Sequence, residues 1–128
     1  MDPSKWSDVF SLLSIIVIAD NRVYKEEVDC FTNHVISLKN DLQSDTLLTR
    51  KLALDWFMAH RDAIATELRS AKAEIFISRK ILQFADFPKR HLLLDAMYKI
   101  AMSDGDLHER EKRIIESAAA QWKLPFPA

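Results

Sequence analysis

Apolar residues recur along this chain at steps of three and four. Trp6, Phe10, Leu13 and Val17 form the first such stripe, widened by Val9 and Ile16, and this is the period of an amphipathic helix. Asp2 and Pro3 stand where an N-cap and a first helical residue belong, so a helix is predicted from Pro3 to about Ala19. A second is predicted from Lys25 to about Leu38 on Val28, Phe31, Val35 and Leu38, with a polar exit at Lys39, Asn40 and Asp41. A third, capped by Ser44 or Asp45, carries Leu48, Leu52 and Phe57. It is predicted to break near His60, before a short helix around Ile64 and Leu68. Ser70 is the predicted cap of a helix through Ile75, Ile77, Ile81 and Phe84. Phe87 and Pro88 stop it, because the residue before proline is pushed out of the helical region. A further helix holds Leu93, Met97, Ile100 and Ala101. The last, about Glu109 to Trp122, turns Ile115, Ala118 and Trp122 inward. No segment alternates with a period of two. The pattern predicts an all-α chain: one compact domain over residues 1–128, a bundle of about six to seven helices.

Composition sharpens this picture at one point. The chain has one glycine and four prolines, which favours long helices over hairpins. That glycine, Gly105, lies in the acidic run from Ser103 through Asp104, Asp106, Leu107, His108, Glu109 and Arg110 to Glu111. Glycine is the residue for left-handed backbone, and asparagine is the usual second choice. A fainter copy of the run lies near the other end, from Ala19 through Asp20, Asn21, Arg22, Val23 and Tyr24 to Glu27. Asp20 matches Asp104, Asn21 matches Gly105 and Glu27 matches Glu111. The chain makes one move twice: a helix, an aspartate, a tight left-handed turn, and a new helix with glutamate near its start. Two pseudo-symmetric helix-turn-helix units are expected.

Both turns have a structural reading and a chemical one. Structurally, Gly105 or Asn21 closes one helix, while His108 or Tyr24 stands at the next N-cap. Glu111 or Glu27 then lies three residues on, where it can reach back to the N-cap amide. Chemically, Asp104, Asp106 and Glu111 put three carboxylates on one turn, the hard oxygen donors that Ca²⁺ and Mg²⁺ prefer. His108 could add a nitrogen for Mn²⁺ or Zn²⁺. The pattern is not an EF-hand, because the glycine directly follows the first aspartate and the glutamate comes too soon. In the first turn Arg22 replaces the middle carboxylate. Asp20 and Glu27 could join the other cluster if the hairpins pack face to face.

At these residues the chain resembles the tellurite-resistance TerB-like family. The family feature is a helix ending in Ala-Asp-Gly, followed by a short stretch with Glu opening the next helix. Here it reads Ala101 through Ser103, Asp104 and Gly105 to Glu111, and Ile18 through Asp20 and Asn21 to Glu27. The resemblance spans most of the chain, since the family places two such turns near the ends of an all-helical domain. It implies a domain of pseudo-twofold character with an acidic surface for a divalent metal, carried here by Asp20, Glu27, Asp104 and Glu111. It also implies a role in tellurite and other stress responses, often beside membrane-protein partners; a related domain occurs in a membrane-anchored J-domain co-chaperone. Asn21 and Arg22 depart from the family pattern at the first turn.

The remaining features narrow the setting. The net charge of -1 gives no global attraction to nucleic acid or anionic lipid. Segment 69–90 is locally basic through Arg69, Lys72, Arg79, Lys80, Lys89 and Arg90, against Glu74 and Asp86, and is read as a solvated helix face. Cys30 is the single cysteine, so no intrachain disulfide can form and a reducing compartment is the default. The N-terminus lacks a signal-peptide layout. Leu12 to Ala19, interrupted by Ser14, is too short to cross a bilayer. A soluble cytoplasmic protein is expected. Cys30 and His34 share a helix face but make no zinc site alone. His60 and His91 are expected to face solvent, Trp56 and Phe57 to be core. The leading expectation is a non-enzymatic domain that binds a divalent cation and docks a protein partner. A purely structural interaction module is the alternative, and a metal-dependent hydrolase stands last.

Overall fold

A computed structural model describes residues 3–19, 25–42, 47–103 and 105–127, with side chains from Trp6 in the first helix and from Val28 in the second. Among these residues the chain forms six helices and no strand: α1 Pro3–Ile18, α2 Lys25–Asp41, α3 Arg50–Arg69, α4 Ala73–Leu82, α5 Arg90–Ala101 and α6 Glu109–Trp122. Asp2, Asp20, Asn21, Arg22, Val23, Tyr24, Ser44, Asp45 and Asp104 lie outside the described residues, as does the side chain of Glu27.

Every residue from Leu12 to Ala19 is buried. The second half of α1 is apolar all round, and such a helix must be covered on all sides. It packs against α2, α3, α4 and α5, and α6 closes the bundle against α4 and α5. Aromatic rings line the first layer around it. Phe10 lies 6.3 Å from Phe31 and 5.3 Å from Trp56, and Phe31 lies 5.6 Å from Phe57, centroid to centroid. These tilted and edge-on geometries are those that aromatic pairs prefer.

The third and fourth helices depart from the expected boundaries. α3 begins at Arg50, because Thr49 caps it with its hydroxyl accepting from the Leu52 amide at 3.1 Å. It then runs unbroken past His60 to Arg69. The polar run around His60 interrupts the exposed face only, while Ala53, Phe57, Ile64 and Leu68 keep one buried stripe. Ser70 ends α3 instead of capping α4, its amide donating to Glu67. Its hydroxyl accepts from the Lys72 amide at 3.0 Å, turning the chain into α4. α4 ends at Leu82, short of Phe84 and well short of Pro88. Leu52 and Ile75, on predicted stripes, are 47% and 52% exposed, since these helices bury narrower faces than their apolar content suggested. Trp56 is only half-buried, whereas Phe57 is core. His60 and His91 do face solvent.

Two side chains tie the last helix to the bundle. Trp122, buried, donates its indole N–H to the Ile81 carbonyl at 2.8 Å. Arg90 donates through Nε to the Trp122 carbonyl at 3.0 Å, satisfying one of the orphan acceptors at a helix end. Lys123 then takes a left-handed conformation, φ 58° and ψ 45°. The Leu124 amide bonds to Ala119 and the Lys123 amide to Ala120, which is a Schellman closure made without glycine.

One polar group sits awkwardly in this core. Ser14 is fully buried in α1, and its hydroxyl has no hydrogen-bond partner among the described residues. A hydroxyl removed from water without a partner carries its full desolvation cost. Ser14→Ala should therefore stabilise the protein, by up to about 1 kcal/mol; a lowered midpoint in urea denaturation would contradict this.

Candidate functional site

The second acidic turn links α5 to α6. α5 closes through the Met102 amide donating to Tyr98 and the Ser103 amide to Ile100. The Ser103 hydroxyl reinforces this end, donating to the Ile100 carbonyl at 2.7 Å. Gly105 has φ 91° and its amide donates to Met102 at 2.9 Å. The single glycine thus occupies a backbone region that other residues enter only with strain. A Cβ built there would meet nothing within 4 Å, so the need for glycine is conformational and not steric. His108 is extended, at φ −71° and ψ 150°, and is the N-cap of α6 as expected, though its side chain makes no capping hydrogen bond.

The carboxylates beyond Gly105 have opposite environments. Asp106 is exposed. Glu111 is completely buried, on the same face as Ile114, Ile115, Ala118 and Trp122. That placement was legible beforehand, because Glu111 stands four residues before Ile115 and so shares its stripe. Glu109 and Glu111 both lie in the first turn of α6, where the helix dipole favours negative charge. Of the other predicted site residues, Asp20, Asp104 and the Glu27 side chain lie outside the described residues. Among the described residues, no three His, Cys, Asp or Glu side chains are grouped to hold an ion.

Arg110 makes contacts that the sequence did not reveal. Between Glu109 and Glu111 it looks like one more solvated charge. In the fold its guanidinium donates to the Leu68 carbonyl at 2.7 Å and to the Ala19 carbonyl at 3.2 Å. It therefore gathers the C-terminal ends of α1 and α3, whose free carbonyls carry partial negative charge, onto the start of α6. Ala19 is the last described residue before Asp20, so the end of α1 lies beside the start of α6. A groove of about 330 Å³ between α4 and α6 opens beside Arg110, floored by Ile77 and Ile114 and edged by Glu74, Glu109 and Arg113. Arg113 is held by Glu109 at 3.2 Å.

Cys30 and His34 lie on the opposite interface, between α2 and α5. The Cys30 thiol donates to the Lys99 carbonyl at 3.6 Å. His34 lines a small cleft of about 60 Å³ with Asp41, Asp95 and Lys99. Burial, and next the charge of Lys99, hold its imidazole below the ordinary value of 6.5, with Asp95 opposing. Asp95 is taken up by Lys99 at 2.9 Å.

A family model described as Tellurite resistance protein TerB matches residues 7–125 of the chain. No curated protein and no solved structure matches it. Among the described residues, no helix is long and apolar enough to cross a membrane.

Two outcomes follow from this geometry. Gly105→Ala should cost on the order of 1 kcal/mol of stability from the left-handed conformation alone, read from chemical denaturation; no change would mean that the turn relaxes freely. The His34 effect has a defined sign. The unfolded chain gains the proton first, so the contribution of His34 is full above pH 6.5 and is lost as pH falls below it. Melting temperature measured from about pH 8 down to about pH 5 should fall less steeply for His34→Gln than for the parent.

Proposed function

Because the chain belongs to the family of the tellurite resistance protein TerB, we propose that it is a non-catalytic helical domain that binds a divalent cation at its second acidic turn and docks a protein partner in a tellurite or stress response. The hydrogen bond from Arg110 to Ala19 carries this reading. It supports one site built by both turns, in place of two remote ones. Asp104, Asp106 and Glu111 would hold the ion, with Asp20 and Glu27 contributed from the first turn. These are hard oxygen donors, suited to Ca²⁺, Mg²⁺ or Mn²⁺ before Zn²⁺. The burial of Glu111 favours the same reading. A carboxylate removed from water needs hydrogen bonds and positive charge around it, and a divalent ion is a strong source of such charge. A binding role agrees with the groove beside the turn, which is lined by no histidine or cysteine.

The structural reading keeps one specific observation in its favour. Gly105 closes α5 through its own amide, and α6 starts directly after. A turn used only to reverse the chain requires nothing more.

Calorimetric titration of the full chain with Ca²⁺, Mg²⁺, Mn²⁺ and Zn²⁺ separates the two. The expected result is binding tighter than about 1 mM for at least one ion, abolished by Asp104→Ala with Asp106→Ala and weakened by Glu111→Gln. Binding weaker than that, or indifferent to these substitutions, would sink the cation and leave the turns structural.

A further inference from the structure

The basic segment around α4 presents an exposed helix face. On its inner side α4 buries Ala73, Ile77 and Ile81. On its outer side Lys72, Ile75, Arg79 and Leu82 follow one another at steps of three and four. This is the spacing of a helix seam, yet the described residues leave it open: Ile75 is 52% and Leu82 56% exposed. The two lie about two helical turns, or roughly 10 Å, apart along the axis.

Several surface cations are already paired within their own helices. Lys51, Lys99, Lys112 and Arg113 each reach a carboxylate one turn away on their own helix. Among the described residues, Lys72 and Arg79 make no ion pair. Lys80 lies 5.7 Å over the ring of its neighbour Phe76. Phe76 and Lys80 also line a depression of about 140 Å³ between α3 and α4, with Trp56, His60 and Ile64 around it and Glu67 at its edge. The His60 ring is stacked on Trp56 at 4.1 Å and 15°, and its Nδ1 lies 2.8 Å from the Trp56 carbonyl. These contacts hold the ring of His60 in place on that wall, and pre-ordering of this kind lowers the cost of binding.

We propose that the outer face of α4, with the adjoining α3–α4 depression, docks an acidic amphipathic helix of a partner protein. Leu or Ile side chains of that helix, at its own three-and-four spacing, pack between Ile75 and Leu82. Its Asp or Glu residues meet Lys72 and Arg79, and one large apolar side chain enters the depression beside Phe76. Charge complementarity selects this occupant. A second copy would set cation against cation across a twofold contact. An anionic bilayer would meet the carboxylates of Glu67 and Glu74 at the rim, and a flat lipid surface has no use for a side-chain-sized depression. The inference rests on the interaction role proposed above and is independent of the cation.

The test pans a displayed library of helical peptides against the full chain, with the Ile75→Asp, Arg79→Glu, Leu82→Asp triple variant as counter-selection. All three positions are exposed, and unchanged circular dichroism and melting confirm that the variant folds. The expected winners are acidic amphipathic peptides that bind the parent at least about tenfold more tightly than the variant and weaken with added salt. Winners that bind both proteins equally reject this surface while leaving an interaction role standing. Failure to enrich any peptide rejects both. Two further arms overturn the choice of occupant. One is sedimentation of the parent, but not the variant, with vesicles of equal parts phosphatidylglycerol and phosphatidylcholine. The other is dimerisation of the parent, but not the variant, in analytical ultracentrifugation.

Discussion

The burial of α1 on every side is the constraint from which the rest of the fold follows. Its C-terminal half, Leu12 to Ala19, offers water no polar face. A helix of this kind is stable only inside a shell, and α2, α3, α4 and α5 supply it. The shell in turn explains why the other helices are amphipathic, and why those at its outside, α4 above all, have faces to spare. It also places the end of α1 deep against its neighbours, where the terminal carbonyls need donors from another part of the chain.

Arg110 answers that need. A single guanidinium, carried by the first turn of α6, serves the ends of α1 and α3 together. Its planar fork of donors suits two acceptors at once in a way that a lysine would not. Arg90 does similar work for the end of α6. Helix termini that would otherwise be left to water are thus stitched to one another. The result for function is proximity: the acidic turn with Gly105 begins α6, and α1 ends beside it.

The carboxylates after Gly105 have unequal settings. Asp106 lies outside and Glu111 is sealed on the core face of α6. A buried glutamate at the start of a helix benefits from the dipole. The same helix ends in a left-handed lysine. Left-handed closure is therefore available to this chain without glycine, and the placing of its one glycine at the acidic turn reflects the local φ of that turn and not a general demand of helix ends.

Much of this was legible from the chain itself. Helical spacing of Trp6, Phe10, Leu13 and Val17, or of Ile115, Ala118 and Trp122, records which side must leave water, and local periodicity is enough to read it. Gly105 announced a left-handed turn for the same reason, since φ is a property of one residue. Other features depended on what lies far away in sequence. Thr49 caps α3 where Ser44 or Asp45 was expected, and α3 passes through His60 because its buried stripe continues beneath. Ile75 fitted a core pattern but stays half-exposed. Arg110 looked like any surface charge until the ends of α1 and α3 came within its reach. Sequence alone determined the class of fold, most of its helices and the left-handed turn at Gly105, because these follow from short-range spacing and backbone preference. Only the tertiary structure decided which carbonyls Arg110 serves, which face of α4 is exposed and that the end of α1 meets the start of α6, because those depend on which distant surfaces burial brings together.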